Sequence, residues 1–346
     1  MRNEGEMFVL SSTARSCRIG NVSIAGCPPF PALMVGDSAI ALNALKPFAR
    51  QLGLVLVSTD SIAQLLEHWD VNQPTLLELA SRFDQSGLAN QLIPQSALKL
   101  HAPVLPGQVF CTIGNYRSQV TQAIVDSGRA QRAHPGDEPS DAALLDKAMT
   151  FMSQREQGLP YVCSKSPTAV IGPHDTLHLP STSDQVDWEV ELAVVIGKPA
   201  KDVPVERALE HVAAFTIAND ITLRDRVFRA DPAGFGTDWL QSKNAPGFLP
   251  LGPYLVPARS VINPKSLRLS LSLNGQAMQE EAVEDMIFDV AQQLSYISQH
   301  VQLLTGDVIC TGSPAGFGSH YQRYLGTGDH LHASIEGFGS QHTLVR

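Results

Sequence analysis

Cysteine is scarce. Cys17, Cys27, Cys111, Cys163 and Cys310 are odd in number, scattered and nowhere spaced Cys-x-x-Cys, which fits reduced structural thiols and not a disulfide framework. Long apolar runs are also missing: none approaches the roughly 20 residues of a membrane-spanning helix, so no membrane partner is expected. The opening residues Met1-Arg2-Asn3-Glu4-Gly5-Glu6 carry acids where a secretory signal carries bases, and the apolar stretches after them are short. A cytoplasmic protein is expected. Basic residues are outnumbered, 25 Lys and Arg against 34 Asp and Glu, and the net charge of -9 argues against a nucleic-acid partner. There is no internal repeat or low-complexity tract. At 346 residues and 43% hydrophobic content, the chain is long enough for two domains or one large one.

What is present is a concentration of carboxylates among apolar residues. Glu189 and Glu191 lie in Val186-Asp187-Trp188-Glu189-Val190-Glu191-Leu192, and Asp220 ends the run Ile217-Ala218-Asn219-Asp220. The first segment alternates, with Val186, Trp188, Val190 and Leu192 on one strand face and Asp187, Glu189 and Glu191 on the other. Two residues along a strand span about 6.6 Å, so two flexible carboxylates can converge on one ion. Acids held among apolar groups cost roughly several kcal/mol each unless a cation compensates. All-oxygen ligation suits Mg²⁺, Mn²⁺ or Ca²⁺ and argues against zinc. The alternative is a strand whose acidic face points into water.

The first hundred residues alternate expected strands (Cys17 to Ile24, Leu54 to Val57) with helical stretches, Ile40 to Leu52, kinked or restarted at Pro47, and Thr75 to Asn90. They end at the Pro-bearing segment His101 to Gly107, so a small N-terminal α+β domain over 1–105 and a second domain over 106–346 are expected. Later, Leu267 to Leu273 alternates into an Asn274-Gly275 hairpin turn, and Asp285 to Gln302 has helical spacing.

In chain order come Gly114-Asn115-Tyr116-Arg117, Ser164-Lys165, Asp187 through Gly197-Lys198, Ala218-Asn219-Asp220-Ile221-Thr222-Leu223-Arg224-Asp225, Ser242-Lys243 with Pro250-Leu251-Gly252-Pro253, Leu271-Ser272-Leu273 into Asn274-Gly275-Gln276, and Leu304-Thr305-Gly306-Asp307 through Thr311-Gly312-Ser313-Pro314-Ala315-Gly316. Together these pieces resemble the fumarylacetoacetate hydrolase family over some two thirds of the sequence. The resemblance implies an α+β, mainly β fold, a mixed β-roll on a distorted barrel, and a homodimer. It also implies Mg²⁺ or a similar ion on Glu189, Glu191 and Asp220. Family members act on small 2-oxo or 1,3-dicarbonyl acids, and a metal that chelates carbonyl and carboxylate oxygens stabilises the enolate formed in their reactions. Carried over by position, Lys243 and Arg224 are catalytic candidates, and Lys165, Tyr116, Arg117 and Thr311 are substrate-binding ones. Arg224 could instead hold a ligand carboxylate in place. The Gly-rich stretch after Thr311 lacks the Lys of a P-loop.

The departure lies after Asn115. Family hydrolases commonly carry a His and a Glu that activate water; this chain has Gln119 and Gln122, which can position a reactant but cannot take its proton. Gln119, as a group that positions a reactant, is the third catalytic candidate. Val227 and Pro246 also stand where many members have Gln and Asp. A base could come from the long segment 128–158, a candidate lid carrying His134, Asp137, Glu138, Asp141 and Glu156, with helical spacing from Asp141 to Gln157. His134 is the histidine to nominate; His174, His178, His330 and His332 lie on turn or strand text. The expectation is a metal-dependent hydrolase of carbon-carbon bonds in an acylpyruvate or similar acid. An oxaloacetate-type decarboxylase or enol isomerase is the alternative, and a non-catalytic metal-binding homologue is third.

Overall fold

The computed structural model describes residues 17–130, 140–229, 231, 234 and 236–346. Short apolar runs bounded by turns form the first strands: β1 (Ile19–Ser23), β2 (Phe30–Val35) and β3 (Ser38–Ala41). Three helices follow, α1 (Lys46–Gln51), α2 (Ile62–Glu67) and α3 (Trp69–Ser81), and then the short strands β4 (Ile93–Pro94) and β5 (Lys99–Leu100).

Sequence and structure differ here in three places. Ile40 belongs to a strand, while of the two expectations for Pro47 the restart holds: it sits in the first turn of α1, where its missing N–H costs nothing. Leu54 to Val57 is not a strand: Val57 N–H donates to Asn72 Oδ1 and the Val55 carbonyl accepts from the Thr75 hydroxyl, so α3 side chains satisfy this backbone. The helix expected from Thr75 begins at Trp69 and stops at Ser81. Its Trp69 and Gln73 side chains both donate to the carbonyl of Ala213, which fixes it against the central sheet.

The middle of the chain supplies β6 (Val109–Ile113), α4 (Arg117–Ala130), α5 (Asp141–Glu156), β7 (Tyr161–Lys165), β8 (Val170–Ile171), β9 (Val186–Asp187) and β10 (Val190–Ile196). Next come α6 (Val205–Ala208), β11 (Val212–Asn219), β12 (Thr222–Leu223), α7 (Trp239–Lys243), β13 (Leu249–Pro250) and β14 (Tyr254–Pro257). The C-terminal part contains β15 (Arg268–Leu273), β16 (Gln276–Ala282), α8 (Val290–His300), β17 (Val308–Cys310), α9 (Gly318–Tyr321), β18 (His330–Ile335) and β19 (Gly339–Leu344). Helix α8 starts later than its apolar spacing suggests because Asp289 and Gln292 form a capping box there.

Every residue of β10 and β11 is buried, and these two strands form the centre of the molecule. The main sheet runs β4-β3-β2-β1-β14-β11-β10-β17-β6-β7, with β5 also on β1. The described part of the expected N-terminal domain, residues 17–105, thus shares a sheet with the rest through the pairing of Ile19 and Gly20 with Leu255 and Tyr254. The pairing path is open at both ends, so the expected mainly β, α+β architecture is present without a closed barrel. A second sheet, β16-β15-β18-β19, is built on the Asn274-Gly275 hairpin.

Helices α4 and α5 pack closely: a Cβ at Gly128 would collide with Leu144, and the pairs Arg129–Asp141 and Arg117–Glu156 tie the two together. The expected helix from Asp141 is present. His134, Asp137 and Glu138 lie outside the described residues.

Candidate metal centre

The alternation from Val186 to Leu192 does not give one continuous strand. At Trp188 and Glu189 the chain changes partners: β9 pairs with β12, and β10 pairs with β11. The Glu189 N–H donates to Asn219 Oδ1, and the Glu189 carbonyl accepts from Asp220 N–H at 2.8 Å. This exchange brings the end of β11 beside the break in the facing strand. Glu189, Glu191 and Asp220 each offer an oxygen within 4.8 Å of the others, and all three are buried. Among the described residues no other group of His, Cys, Asp or Glu side chains converges in this way.

Cations surround two of the three acids. Lys165 Nζ lies 2.5 Å from Asp220 Oδ1 and donates to the Ile221 carbonyl; Lys243 Nζ lies 2.5 Å from Asp220 Oδ2, 2.8 Å from the Thr222 hydroxyl and 3.4 Å from Glu189 Oε2. Burial alone would raise the Asp220 carboxyl, but the two ammonium groups outweigh it and hold Asp220 below its ordinary range. Burial likewise works against a charged Lys243, and Asp220 and Glu189 reverse this, holding its ammonium well above the usual lysine value. Arg224 spans two acids, Nε to Asp187 Oδ2 at 2.7 Å and Nη2 to Glu189 Oε1 at 2.8 Å, with its guanidinium 4.1 Å from the centre of the Phe317 ring.

Glu191 has no such partner. One oxygen accepts from the Gly312 amide at 2.7 Å, while Oε1 is buried with no hydrogen bond. Gly312 makes this approach possible: its φ is +98° and a Cβ there would lie 2.7 Å from the Cβ of Asn115. Burial, then the charges of Asp220 and Glu189, push the Glu191 carboxyl well above the carboxylate range. Four acids, counting Asp187, face three bases, and the unmatched charge falls on Glu191. An orphaned, buried carboxylate oxygen among three converging oxygen donors fits a hard divalent cation.

The remaining candidates are distributed differently. Tyr116 is fully buried, its hydroxyl has no partner, and burial followed by the charge of Glu191 pushes its phenol up. Gln119 Oε1 is also buried without a partner. Gln122 Oε1 accepts from the Gly316 amide, and Trp188 Nε1 donates to the Gly316 carbonyl, so the Gly-rich loop is held from both sides. The Thr311 hydroxyl donates to the Leu192 carbonyl and thus ties the loop to β10. Arg117 is not brought to the acids; it pairs with Glu156 and donates to the carbonyls of Asp285 and Met286.

Sequence reasoning passed over Asp187, which accepts from the amides of Trp188 and Gly318 and anchors Arg224. Its place in the same alternation was the available signal. Thr222, which donates to Glu189 Oε1 at 2.9 Å, and Phe317 carried no comparable signal.

The mainly β architecture is shared with solved structures of an enzyme family. Residues 108–346 match the profile of the fumarylacetoacetate (FAA) hydrolase C-terminal family, and the chain belongs to that family. The oxaloacetate tautomerase FAHD2A, mitochondrial, of Bos taurus is 34% identical over 275 residues, 77% of this chain and 79% of the relative. Among solved structures, the fumarylacetoacetate hydrolase of Exiguobacterium antarcticum superimposes with a TM-score of 0.70 at 26% identity, covering 96% of this chain and 99% of that one. The fumarylpyruvate hydrolase of Pseudomonas aeruginosa, solved in complex with Mn²⁺ and pyruvate, gives 0.53 at 25% identity over 74% of this chain and 92% of that one. A metal-dependent enzyme follows in general terms.

Proposed function

We propose that this protein catalyses keto–enol isomerisation of a small 2-oxo dicarboxylic acid of the oxaloacetate type, with a divalent cation held by Glu189, Glu191 and Asp220. The observation that carries the reading is the state of Gln119 and Gln122. At the two positions where family hydrolases carry a water-activating His and Glu, both side chains are amides, and Gln122 is committed to the Gly316 amide. Hydrolysis needs a base that takes a proton from water; ketonisation of an enol takes none from water, because the enol gives up its own acidic hydroxyl proton while its carbon receives one from a donor, for which the Tyr116 phenol is the candidate. The bovine relative named as an oxaloacetate tautomerase supports the same choice.

When bound, the cation supplies Lewis-acid polarisation of the substrate's 2-oxo and carboxylate oxygens. The protein's own groups have separable tasks. Lys165 and Lys243 fix both oxygens of Asp220 and add positive charge where an enolate develops, with Lys243 as the catalytic candidate. Arg224 positions Glu189 by gripping it together with Asp187. The unpartnered Tyr116 hydroxyl and Gln119 carbonyl orient the substrate, and a phenol held high in pKa keeps its proton to donate. Thr311 acts through the loop it fastens. The proposal includes a homodimer in the cytoplasm; the mitochondrial designation belongs to the bovine relative.

Carbon-carbon hydrolysis of an acylpyruvate is the second reading, favoured by the likeness to the fumarylpyruvate hydrolase. A panel of oxaloacetate, acylpyruvates and fumarylacetoacetate-like diketones, assayed with Mg²⁺ or Mn²⁺ and again with chelator, separates them. Ultraviolet change on oxaloacetate without new products is expected. Two carboxylic acids from an acylpyruvate would establish the hydrolase, and CO₂ release a decarboxylase.

A further inference from the structure

Three of the five cysteines, far apart in sequence, meet beneath the acidic triad. On adjacent strands Ala193 of β10 is the register partner of Cys310, Cys310 of Cys111, and Cys111 of Cys163. Register partners share a face, so the three thiols form one rung across β17, β6 and β7. Two residues along β10 on the same face is Glu191, and two residues beyond Cys163 on β7 is Lys165. The rung therefore lies between an acid of the triad and a lysine bound to another acid of it. The Cys163 and Cys310 thiols hold the Cys111 sulfur below the ordinary thiol value, while Cys111 and burial push theirs up. All three thiols are free; Cys111 and Cys310 are buried, and Cys163 is partly open to solvent.

From this juxtaposition we propose that Cys111 and Cys163 form a reversible disulfide on exposure to a hydroperoxide, switching the centre above them off. Antiparallel register partners have Cα atoms about 4.5–5.5 Å apart, inside the roughly 4.4–6.8 Å that a disulfide spans. Cys163 is the entry point because it alone of the three reaches solvent. As its sulfur attacks one peroxide oxygen, the Cys163 proton passes to the neighbouring Cys111 sulfur; the S–O bond forms, the O–O bond breaks, and the departing hydroxide takes that proton from Cys111 to leave as water. The Cys111 thiolate then attacks the sulfenic sulfur, the S–S bond forms, the S–O bond breaks, and a second water leaves. Two thiols are oxidised and one peroxide is reduced to two waters. Drawing Cys163 toward Cys111 moves Lys165, two residues on, relative to Asp220, and a displacement near 1 Å at such a site costs up to about a hundredfold in rate.

The proposal rests on the metal-enzyme reading only for its effect on turnover; the cross-link itself is read by mass. The full-length protein loaded with Mg²⁺ is treated with hydrogen peroxide, digested without reduction and mapped. A peptide pair joining Cys111 to Cys163 and lacking two hydrogens is expected, together with at least about a tenfold loss of activity that dithiothreitol restores. Cys163→Ser, with Cys163→Ala as a second variant, is expected to give no cross-link and to keep its activity under the same treatment, while exposed Cys27 oxidises in all forms. Absence of the Cys111–Cys163 peptide pair overturns the proposal. So does a complete cross-link with unchanged turnover, or equal inactivation of both Cys163 variants.

Discussion

The Gly312 amide donates to one oxygen of Glu191 at 2.7 Å, and the other oxygen, equally enclosed, meets no donor. Glu191 is thus the acid that gains most from a cation and the one that suffers most without it. Glu191→Gln keeps the shape and removes the repulsion from Asp220 and Glu189. In the presence of chelator this variant is expected to be at least as stable as the parent. With metal at about a hundred times its Kd, the parent gains about 2.7 kcal/mol and the variant little of it. Thermal melts with and without Mn²⁺ read both effects, and metal-dependent turnover is expected to vanish. A variant that melts higher on adding metal, as the parent does, would contradict the ligand assignment.

Asp220 depends on its two lysines. Lys243→Met leaves a fully enclosed carboxylate with one ammonium instead of two, and breaking a buried pair from one side costs about 3–5 kcal/mol. Urea unfolding of the chelated protein is expected to show a loss of that order. Removing both partners, Lys243→Met with Asp220→Asn, is expected to cost less than the sum of the single changes, because the neutral amide no longer needs the charge. Strict additivity would mean that the two side chains do not interact.

The convergence of Glu189, Glu191 and Asp220 was legible because acids alternating with apolar residues are expensive without a reason, and because the surrounding text matched a family. Their exact partners were not. Nothing in the sequence reveals that Lys165 and Lys243 bind opposite oxygens of one carboxylate, or that Arg117 turns away to Glu156. The strand through Val186 to Leu192 was read as continuous, whereas a side chain, Asn219, and a strand-end amide, Asp220, take the hydrogen bonds of Glu189 and split it. The same tertiary override removed the strand at Leu54 to Val57, where Asn72 and Thr75 replace a ladder. The thiol rung was invisible for a topological reason: Cys111, Cys163 and Cys310 become neighbours only through the strand order β17-β6-β7.

Gln119 and Gln122 are expected to separate in their effects. Gln119 Oε1 is buried and unpartnered, so Gln119→Ala removes an orienting group and is expected to lower kcat by about tenfold without altering the melting temperature. Gln122→Ala strands the Gly316 amide, which costs about 1–3 kcal/mol of stability and loosens the loop that presents Gly312 to Glu191. Steady-state kinetics beside thermal melts distinguish the two. A loss of many orders of magnitude in Gln119→Ala would mean that this amide takes part in the chemistry and does more than orient.

Away from the centre, Asp329 gives the fold a dependence on pH whose sign is fixed by its partners. It accepts from the Gly326 amide at 2.7 Å and from Asn274 at 2.8 Å, and it pairs with Arg323 at 2.6 Å, just ahead of β18. Burial works against the charged form, but the Gly326 amide, Asn274 and Arg323 prevail and hold the carboxyl below its ordinary value. A group depressed in the folded state contributes stability that is fully present above its unfolded pKa and is lost as pH falls through the folded value. Asp329→Asn is therefore expected to cost about 1–3 kcal/mol at neutral pH. The gap between variant and parent should narrow as pH falls below about 4, where the unfolded carboxyl takes up its proton. Urea midpoints of both proteins at neutral and acid pH provide the measurement, and a gap that stays constant would show that Asp329 acts through its shape and not its charge.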